Sequence, residues 1–119
     1  MSFNKRKTGN KGEYLACSYL EEIGFEIIER NFQFGHGEID IIAKDEKTLV
    51  FIEVKYRKNL SFGHPETAIP LPKQKQIRKI AESYLWKNNI SDHSCRIDVI
   101  AITQLKGQAP IINHIRNAF

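Results

Sequence analysis

Two carboxylates and a lysine lie in neighbouring apolar segments of this chain, where a hydrophobic core does not require charged side chains. Asp40 lies in the segment 39–42 (IDII), and Glu53 and Lys55 lie in the segment 49–55 (LVFIEVK). Both segments are rich in β-branched residues and about as long as a strand, and a short polar turn separates them. The pattern predicts a β-hairpin that carries all three charged residues.

The alternation of side chains along a strand decides whether these three residues meet. If the turn keeps even parity, for example with Ala43 opposite Thr48, the three charged side chains share one face of the hairpin. Asp40 and Glu53 then lie opposite or diagonal to each other, with their Cβ atoms about 5–8 Å apart.

Two carboxylates so close together require a cation. At about 6 Å they repel by roughly 3 kcal/mol at an effective dielectric constant near 20, and Lys55 offsets only one charge. A divalent metal would balance the remaining charge, because Mg²⁺ favours one or two carboxylates together with waters and phosphate oxygens. The alternative is a hairpin whose charged side chains are simply solvated on a surface face.

The order of these residues resembles a known group of enzymes. An acidic residue followed about a dozen residues later by (D/E)-x-K on adjacent strands resembles the PD-(D/E)XK nuclease superfamily, with Asp40 and residues 53–55 (EVK) as the matching positions. No proline precedes Asp40, although the superfamily motif often has one. More narrowly, the chain resembles the YraN family of small bacterial proteins, which is similar to archaeal Holliday-junction resolvases, in four segments: 11–13 (KGE), 37–40 (GEID), 51–55 (FIEVK) and 113–119 (NHIRNAF).

The resemblance implies a role for each residue of the motif. It implies Asp40 and Glu53 as ligands of Mg²⁺ or Mn²⁺, with the backbone carbonyl of Val54 as a further ligand. It implies that Lys55 positions the attacking water or stabilises the pentacovalent phosphorane. A metal is needed in such a reaction because phosphodiester hydrolysis in water is extremely slow.

Two further glutamates have more than one interpretation. Glu13 lies at the edge of the apolar stripe of the first predicted helix and matches a first-helix glutamate that completes the metal site in resolvase-like relatives. It also completes a capping-box pattern with Asn10. Glu38 shares the strand face of Asp40, and both a salt bridge with a basic neighbour and metal contact fit its position.

Composition places the chain among ordinary globular proteins. Of its 119 residues, 41% are hydrophobic and 27% are charged, and no apolar run approaches the roughly 18 residues that cross a bilayer. The two cysteines are too few and too isolated for a disulfide framework or a zinc site. We therefore expect one cytoplasmic domain over residues 1–119, without membrane contact, in which residues 1–9 form a flexible basic arm.

Basic residues cluster where a polyanion could bind. Between residues 54 and 81 there are seven Lys or Arg residues and one acidic residue. Clustered positive charge suits a substrate held by its phosphates, and the N-terminus of a helix adds to it, although basic runs are also typical of solvated faces. No base-reading pattern is present, which favours structure-selective or non-specific binding. The predicted DNA-binding residues open the second helix: Lys73, Gln74, Lys75, Gln76, Arg78 and Lys79.

Hydrophobic periodicity predicts the elements that position these residues. A helix is expected from Asn10 to about Ile23, then strands over 25–34, the hairpin, a second helix from Pro72 to residue 88, and strands over 96–102 and 111–116. This αβββαβ order resembles the restriction-endonuclease-like α/β fold, a mixed sheet flanked by helices. Arg96 and Asp98 share a strand face, which predicts either a structural pair of the two or a pairing with a catalytic group. Three aromatic residues are predicted to lie in the core: Tyr19, Phe34 and Trp86.

Two classes of function fit this sequence. The leading hypothesis is a Mg²⁺- or Mn²⁺-dependent endonuclease that hydrolyses phosphodiester bonds of DNA, including branched or junction DNA, as the resemblance implies. The alternative is a non-catalytic nucleic-acid-binding module on the same fold. A complete set of Asp40, Glu53 and Lys55 favours the enzyme. Resolution of a junction takes two cuts, which would imply a homodimer.

Overall fold

The computed structural model of the protein describes residues 11–61, 63–64 and 69–119. The predicted basic arm and its neighbour Asn10 lie outside the described residues. The chain order of the described elements confirms the predicted αβββαβ sequence, with a fifth strand at the end. The elements are α1 (Lys11–Glu22), β1 (Glu26–Phe34), β2 (Gly37–Asp45), β3 (Thr48–Arg57), α2 (Leu71–Lys87), β4 (Cys95–Thr103) and β5 (Ile111–Ile115).

The five strands form one mixed sheet in the order β1-β2-β3-β4-β5. β3 and β4 are parallel, and every other neighbouring pair is antiparallel. Because parallel neighbours need a crossover, the chain leaves β3, forms α2 and returns to the sheet as β4. The predicted α/β architecture, a mixed sheet flanked by two helices, is therefore confirmed.

Each helix covers its own face of the sheet. On one face, Ala16 and Leu20 of α1 pack with Ile41 and Ile52. On the other, the apolar stripe of α2 packs with Ile42 and Phe51 and other strand residues. The alternation of adjacent strand residues between the two faces is what a sheet buried on both sides requires. The buried α2 stripe consists of Ile77, Ile80, Ala81 and Tyr84.

Two of the predicted core aromatics are exposed. Trp86 is 83% exposed and Phe34 is 50% exposed, so those two predictions were wrong. Trp86 lies two residues after the buried Tyr84 and therefore points away from the stripe that packs on the sheet. Phe34 ends the edge strand β1. Tyr19 is partly buried, and its hydroxyl lies 3.0 Å from Nδ1 of His114.

A fully buried carboxylate ties β4 to the end of the chain. Asp98 accepts hydrogen bonds from Nε of Arg96 at 3.0 Å, from Nε2 of His114 at 2.8 Å and from the backbone N–H of Asn117 at 2.9 Å. Nη2 of Arg96 also donates to Asp45 at 2.9 Å, which links this network to the β2–β3 turn. The predicted Arg96–Asp98 pair is therefore present.

None of the helices in the described part of the chain is long and apolar enough to span a membrane.

Candidate active site

The strand β2 loses its regular alternation at Asp40, and this irregularity positions the candidate site. β2 pairs with β3 from Asp45 back to Ile41, where the regular ladder of paired residues ends. Ile39 and Ile42 both pack on the α2 side, although strict alternation would place them on opposite faces of the sheet. Irregularities of this kind re-aim side chains, and they are common beside active sites.

Asp40 is fixed by the neighbouring strand. Its Oδ2 accepts a hydrogen bond of 2.8 Å from the backbone N–H of Val54, so the carboxylate lies against the segment that carries Glu53. The predicted hairpin is confirmed, but Ala43 lies opposite Val50 instead of Thr48. A shift of two residues keeps the parity of the regular ladder from Ile41 to Asp45. Asp40 lies beyond that ladder and is held beside Glu53 by its hydrogen bond from Val54.

The pKa values of Asp40 and Glu53 are both raised by burial. Burial, followed by the negative charge of Glu53, raises the pKa of Asp40 from its ordinary value of 3.8 to about 7. Burial also raises the pKa of Glu53, against the opposing effect of the positive charge of Lys73. Near neutral pH the carboxyl group of Asp40 in the metal-free protein is therefore partly protonated.

The lysine that contacts Glu53 belongs to α2. Nζ of Lys73 lies 3.8 Å from Oε2 of Glu53. The sequence predicts Lys73 only as a DNA-binding residue, and Lys55 as the residue that offsets one of the two carboxylate charges. The half-buried Lys55 also lowers the pKa of Glu53, but less than Lys73 does. Two lysines, from β3 and from α2, therefore act on one carboxylate.

Glu13 and Glu38 complete an acidic cluster with Asp40. The three side chains each offer a carboxylate oxygen within 4.8 Å of the others. Glu13 is buried on α1, and its two oxygens accept hydrogen bonds of 2.9 and 3.0 Å from Nδ2 of Asn31. Burial raises the pKa of Glu13, the hydrogen bonds from Asn31 oppose this, and the charge of Asp40 raises it further. Glu13 therefore lies beside Asp40, whereas the predicted capping box with Asn10 falls outside the described residues.

The site suits a hard divalent cation. Its candidate ligands are carboxylate oxygens, which Mg²⁺ and Mn²⁺ prefer, and they come from α1, β2 and β3. The raised pKa values of Asp40, Glu53 and Glu13 mean that the cluster carries unfavourable negative charge, which a cation would relieve.

One positioning residue was missed by sequence reasoning. Asn31 orients Glu13 from β1, and its backbone has a φ of 55°. Left-handed backbone of this kind is unfavourable for most residues but is tolerated by asparagine. An asparagine inside an otherwise strand-like segment was the signal that could have identified it.

The six predicted DNA-binding residues of α2 divide into groups with different surroundings. Lys73 faces Glu53, and Nε2 of Gln74 donates a hydrogen bond of 2.8 Å to the backbone carbonyl of Ile69. The guanidinium of Arg78 lies 5.8 Å from the centre of the Phe119 ring. The exposed members of the set are Lys75, Gln76, Arg78 and Lys79.

Comparison with known proteins assigns the chain to a family. The model of the family described as "Uncharacterised protein family UPF0102" matches residues 12–102. The chain belongs to this family. The YraN resemblance read from the sequence motifs is thereby confirmed.

Relatives in the UPF0102 family match along nearly the whole chain. A UPF0102 protein of Geobacter sulfurreducens is 48% identical over 118 residues, which are 99% of this chain and 92% of the relative. A UPF0102 protein of Clostridioides difficile is 42% identical over 116 residues, 98% of this chain and 99% of the relative. Among solved structures, Hjc, a Holliday junction resolvase of Archaeoglobus fulgidus, matches with a TM-score of 0.47 and 20% identity, over 87% of this chain and 74% of that chain. Similarity at this last level carries no information about chemistry.

Replacement of Asp40 by asparagine should stabilise the metal-free protein at pH 8. A carboxyl whose pKa is raised on folding contributes stability below its ordinary pKa of 3.8, and this contribution is lost as the pH rises to about 7. Asparagine carries no charge, and its side-chain oxygen can still accept the N–H of Val54. We therefore expect Asp40→Asn to raise the free energy of unfolding by about 1–3 kcal/mol at pH 8, and by less at pH 5.

Urea denaturation at both pH values measures this difference, with Asp92→Asn on the exposed surface as the matched control. If Asp40→Asn instead destabilises the protein by more than about 1 kcal/mol at pH 8, Asp40 is a structural hydrogen-bond acceptor and the repulsion argument is wrong.

Proposed function

We propose that this protein is a divalent-metal-dependent endonuclease that hydrolyses phosphodiester bonds of DNA. The observation that carries the proposal is the convergence of carboxylates from three elements on one irregular point of the sheet, beside two lysines. Such a cluster is costly for a metal-free protein, and a basic helix face next to it suits a polyanionic substrate. The carboxylates are Glu13, Glu38, Asp40 and Glu53.

The proposed roles follow the positions of the side chains. Asp40 and Glu53 would hold the ion, with Glu13 and the carbonyl of Val54 as further ligands. Bound there, Mg²⁺ or Mn²⁺ would lower the pKa of a water and neutralise charge on the phosphate. The ammonium of Lys55 would donate hydrogen bonds to the attacking water or to a phosphate oxygen in the transition state.

Asn31 is a positioning residue in this proposal. Its amide donates to both oxygens of Glu13, so it limits the orientations that this carboxylate can adopt beside Asp40. Positioning contacts of this type around metal ligands are worth about 10- to 100-fold in metal affinity.

A cleavage assay tests the proposal. The wild type would be incubated with linear duplex, flapped, single-stranded and four-way-junction DNA in Mg²⁺, Mn²⁺ or EDTA. We expect cleavage of at least one substrate that needs the divalent ion and that Glu53→Gln abolishes. Paired cuts on opposite strands of the junction would in addition support a homodimer with two active sites. Cleavage that persists in EDTA, or that Glu53→Gln retains, would exclude this site as its origin.

A non-catalytic DNA-binding module is the second candidate, and the exposed basic face of α2 favours it. On this reading the protein binds all four DNA structures and cleaves none. This alternative gives no function to the repulsion within the partly buried acidic cluster, and for this reason we place it second.

Removal of basic charge from the outer face of α2 should weaken DNA binding at every sequence. Lys75 and Lys79 are exposed, one turn apart and clear of the carboxylates. If each contacts a phosphate, the double substitution Lys75→Gln/Lys79→Gln should flatten the slope of log Kd against log salt concentration by roughly 0.9 per lost contact.

Fluorescence anisotropy across a salt series measures this slope. Lys44→Gln/Lys106→Gln, at two exposed sites away from α2, is the matched control. A slope equal to that of the wild type would remove the outer face of α2 from the DNA-binding surface.

A further inference from the structure

A polar cleft of about 350 Å³ opens between the β1–β2 turn and the first turns of α2. Its lining side chains are Gln33, His36, Glu38, Lys73 and Gln76, and two glycines complete the lining. The volume falls within the range of sites that bind small ligands. His36 reaches the cleft because Phe34 and Gly37 pair across a two-residue turn.

Close packing of α2 on β2 fixes one wall of the cleft. A Cβ atom on Gly37 would lie 2.6 Å from Cδ1 of Ile80 and 2.9 Å from Nε2 of Gln76. The ends of the Ile80 and Gln76 side chains therefore lie against the backbone of β2 at Gly37. A side chain at residue 37 would displace the Gln76 amide from this position.

The cleft is continuous with the carboxylate cluster. Lys73, one turn before Gln76 on α2, lines the cleft and lies 3.8 Å from Glu53. Glu38 lines it as well and lies within 4.8 Å of Asp40 through their carboxylate oxygens. A polynucleotide with one phosphate at the carboxylates would therefore bring its adjoining residue into the cleft.

Three of the side chains that line the cleft can contact an anion. Lys73 supplies a positive charge, and the His36 ring and the Gln76 amide supply hydrogen-bond donors. The one acidic side chain, Glu38, accepts a hydrogen bond of 3.5 Å from Nε2 of Gln33. Charge-assisted hydrogen bonds from a set of this kind are strong contacts for a phosphate group.

We propose that this cleft binds the phosphate next to the one that is hydrolysed, with His36 and Gln76 as hydrogen-bond donors and Lys73 as the positive charge. This inference rests on the proposed nuclease function. It assigns the β1–β2 turn to substrate binding, so that contact with DNA extends from α2 across the carboxylates to the edge of the sheet.

Binding of thymidine 3′,5′-bisphosphate in EDTA tests the cleft without a metal. Titration into nitrogen-15-labelled protein should shift the backbone amide signals of His36, Gly37 and Gln76, and thymidine without phosphates should not. His36→Ala and Gln76→Ala should each weaken the affinity about tenfold, the value of one hydrogen bond to a charged group. The controls His93→Ala and Gln108→Ala, at exposed sites elsewhere, should leave it unchanged.

Three results would overturn the assignment: no shift at the cleft amides, equal binding of thymidine, or loss of Mn²⁺ binding in His36→Ala. Mn²⁺ binding and DNA cleavage are measured separately on the wild type. If the protein binds the bisphosphate through His36 but neither binds Mn²⁺ nor cleaves DNA, the assignment of the cleft stands and the proposed nuclease function is wrong. If the protein cleaves DNA equally well after replacement of His36 or Gln76, the nuclease function stands and only the assignment of the cleft is wrong.

Discussion

Lys55→Met should reduce metal-dependent DNA cleavage by at least about a hundredfold while Mn²⁺ binding persists. A cation aimed at the charge that develops in the transition state is typically worth a factor of about 10²–10³ in rate. Methionine keeps much of the length of the lysine side chain but cannot donate a hydrogen bond. Because it removes no carboxylate, the oxygens that would hold the ion remain.

Rates of cleavage at saturating DNA, together with Mn²⁺ affinity, measure this effect. Lys44→Met, at an exposed site on β2, is the matched control. Lys73 remains 3.8 Å from Glu53 in the variant, so the free energy of unfolding should fall by only about 1 kcal/mol. A variant with the cleavage rate of the wild type would show that Lys55 takes no part in the chemistry.

Asp98→Asn should destabilise the protein by about 3–5 kcal/mol, because it leaves the guanidinium of Arg96 without its fully buried counter-charge. Burial raises the pKa of Asp98, but hydrogen bonds from His114, Arg96 and Asn117 outweigh it and hold the pKa below its ordinary value of 3.8. A carboxyl whose pKa is lowered on folding contributes stability above its ordinary pKa of 3.8. That contribution is lost as the pH falls from 3.8 through the lower pKa of the folded protein.

Urea unfolding at pH 7 measures the loss, with Asp92→Asn as the exposed control. Below about pH 4 the wild type should lose stability more steeply than Asp98→Asn, since the variant has no carboxylate to protonate there. A loss at pH 7 smaller than about 1 kcal/mol would contradict the view that this network fastens the C-terminal segment to β4.

The sequence was sufficient for the features that depend on local pattern. The β-branched segments around Asp40 and Glu53 predicted the hairpin, and the spacing of Ile77, Ile80 and Tyr84 predicted the buried face of α2. The predicted register of the hairpin was off by two residues, which keeps its parity, and Asp40 and Glu53 lie close together as predicted.

Features that depend on where separate elements pack could not be predicted. Nothing local indicates that α2 turns Lys73 toward Glu53, or that β2 departs from alternation at Asp40 and so brings Glu13 of α1 near it. The same holds for His114, whose partner Asp98 lies on a neighbouring strand. Trp86 was misplaced because its size suggested burial, whereas its helical position points it into solvent.

The central claim is that Asp40 and its neighbouring carboxylates bind a divalent metal. Calorimetric titration of Mn²⁺ into the wild type and into Asp40→Asn tests it most directly. Because the pKa of Asp40 is about 7, binding to the wild type should release a proton and should tighten as the pH is raised from 6 to 8. Asp40→Asn should bind at least about tenfold more weakly and without this pH dependence. Undetectable binding to the wild type, or equal binding to both proteins, would contradict the claim.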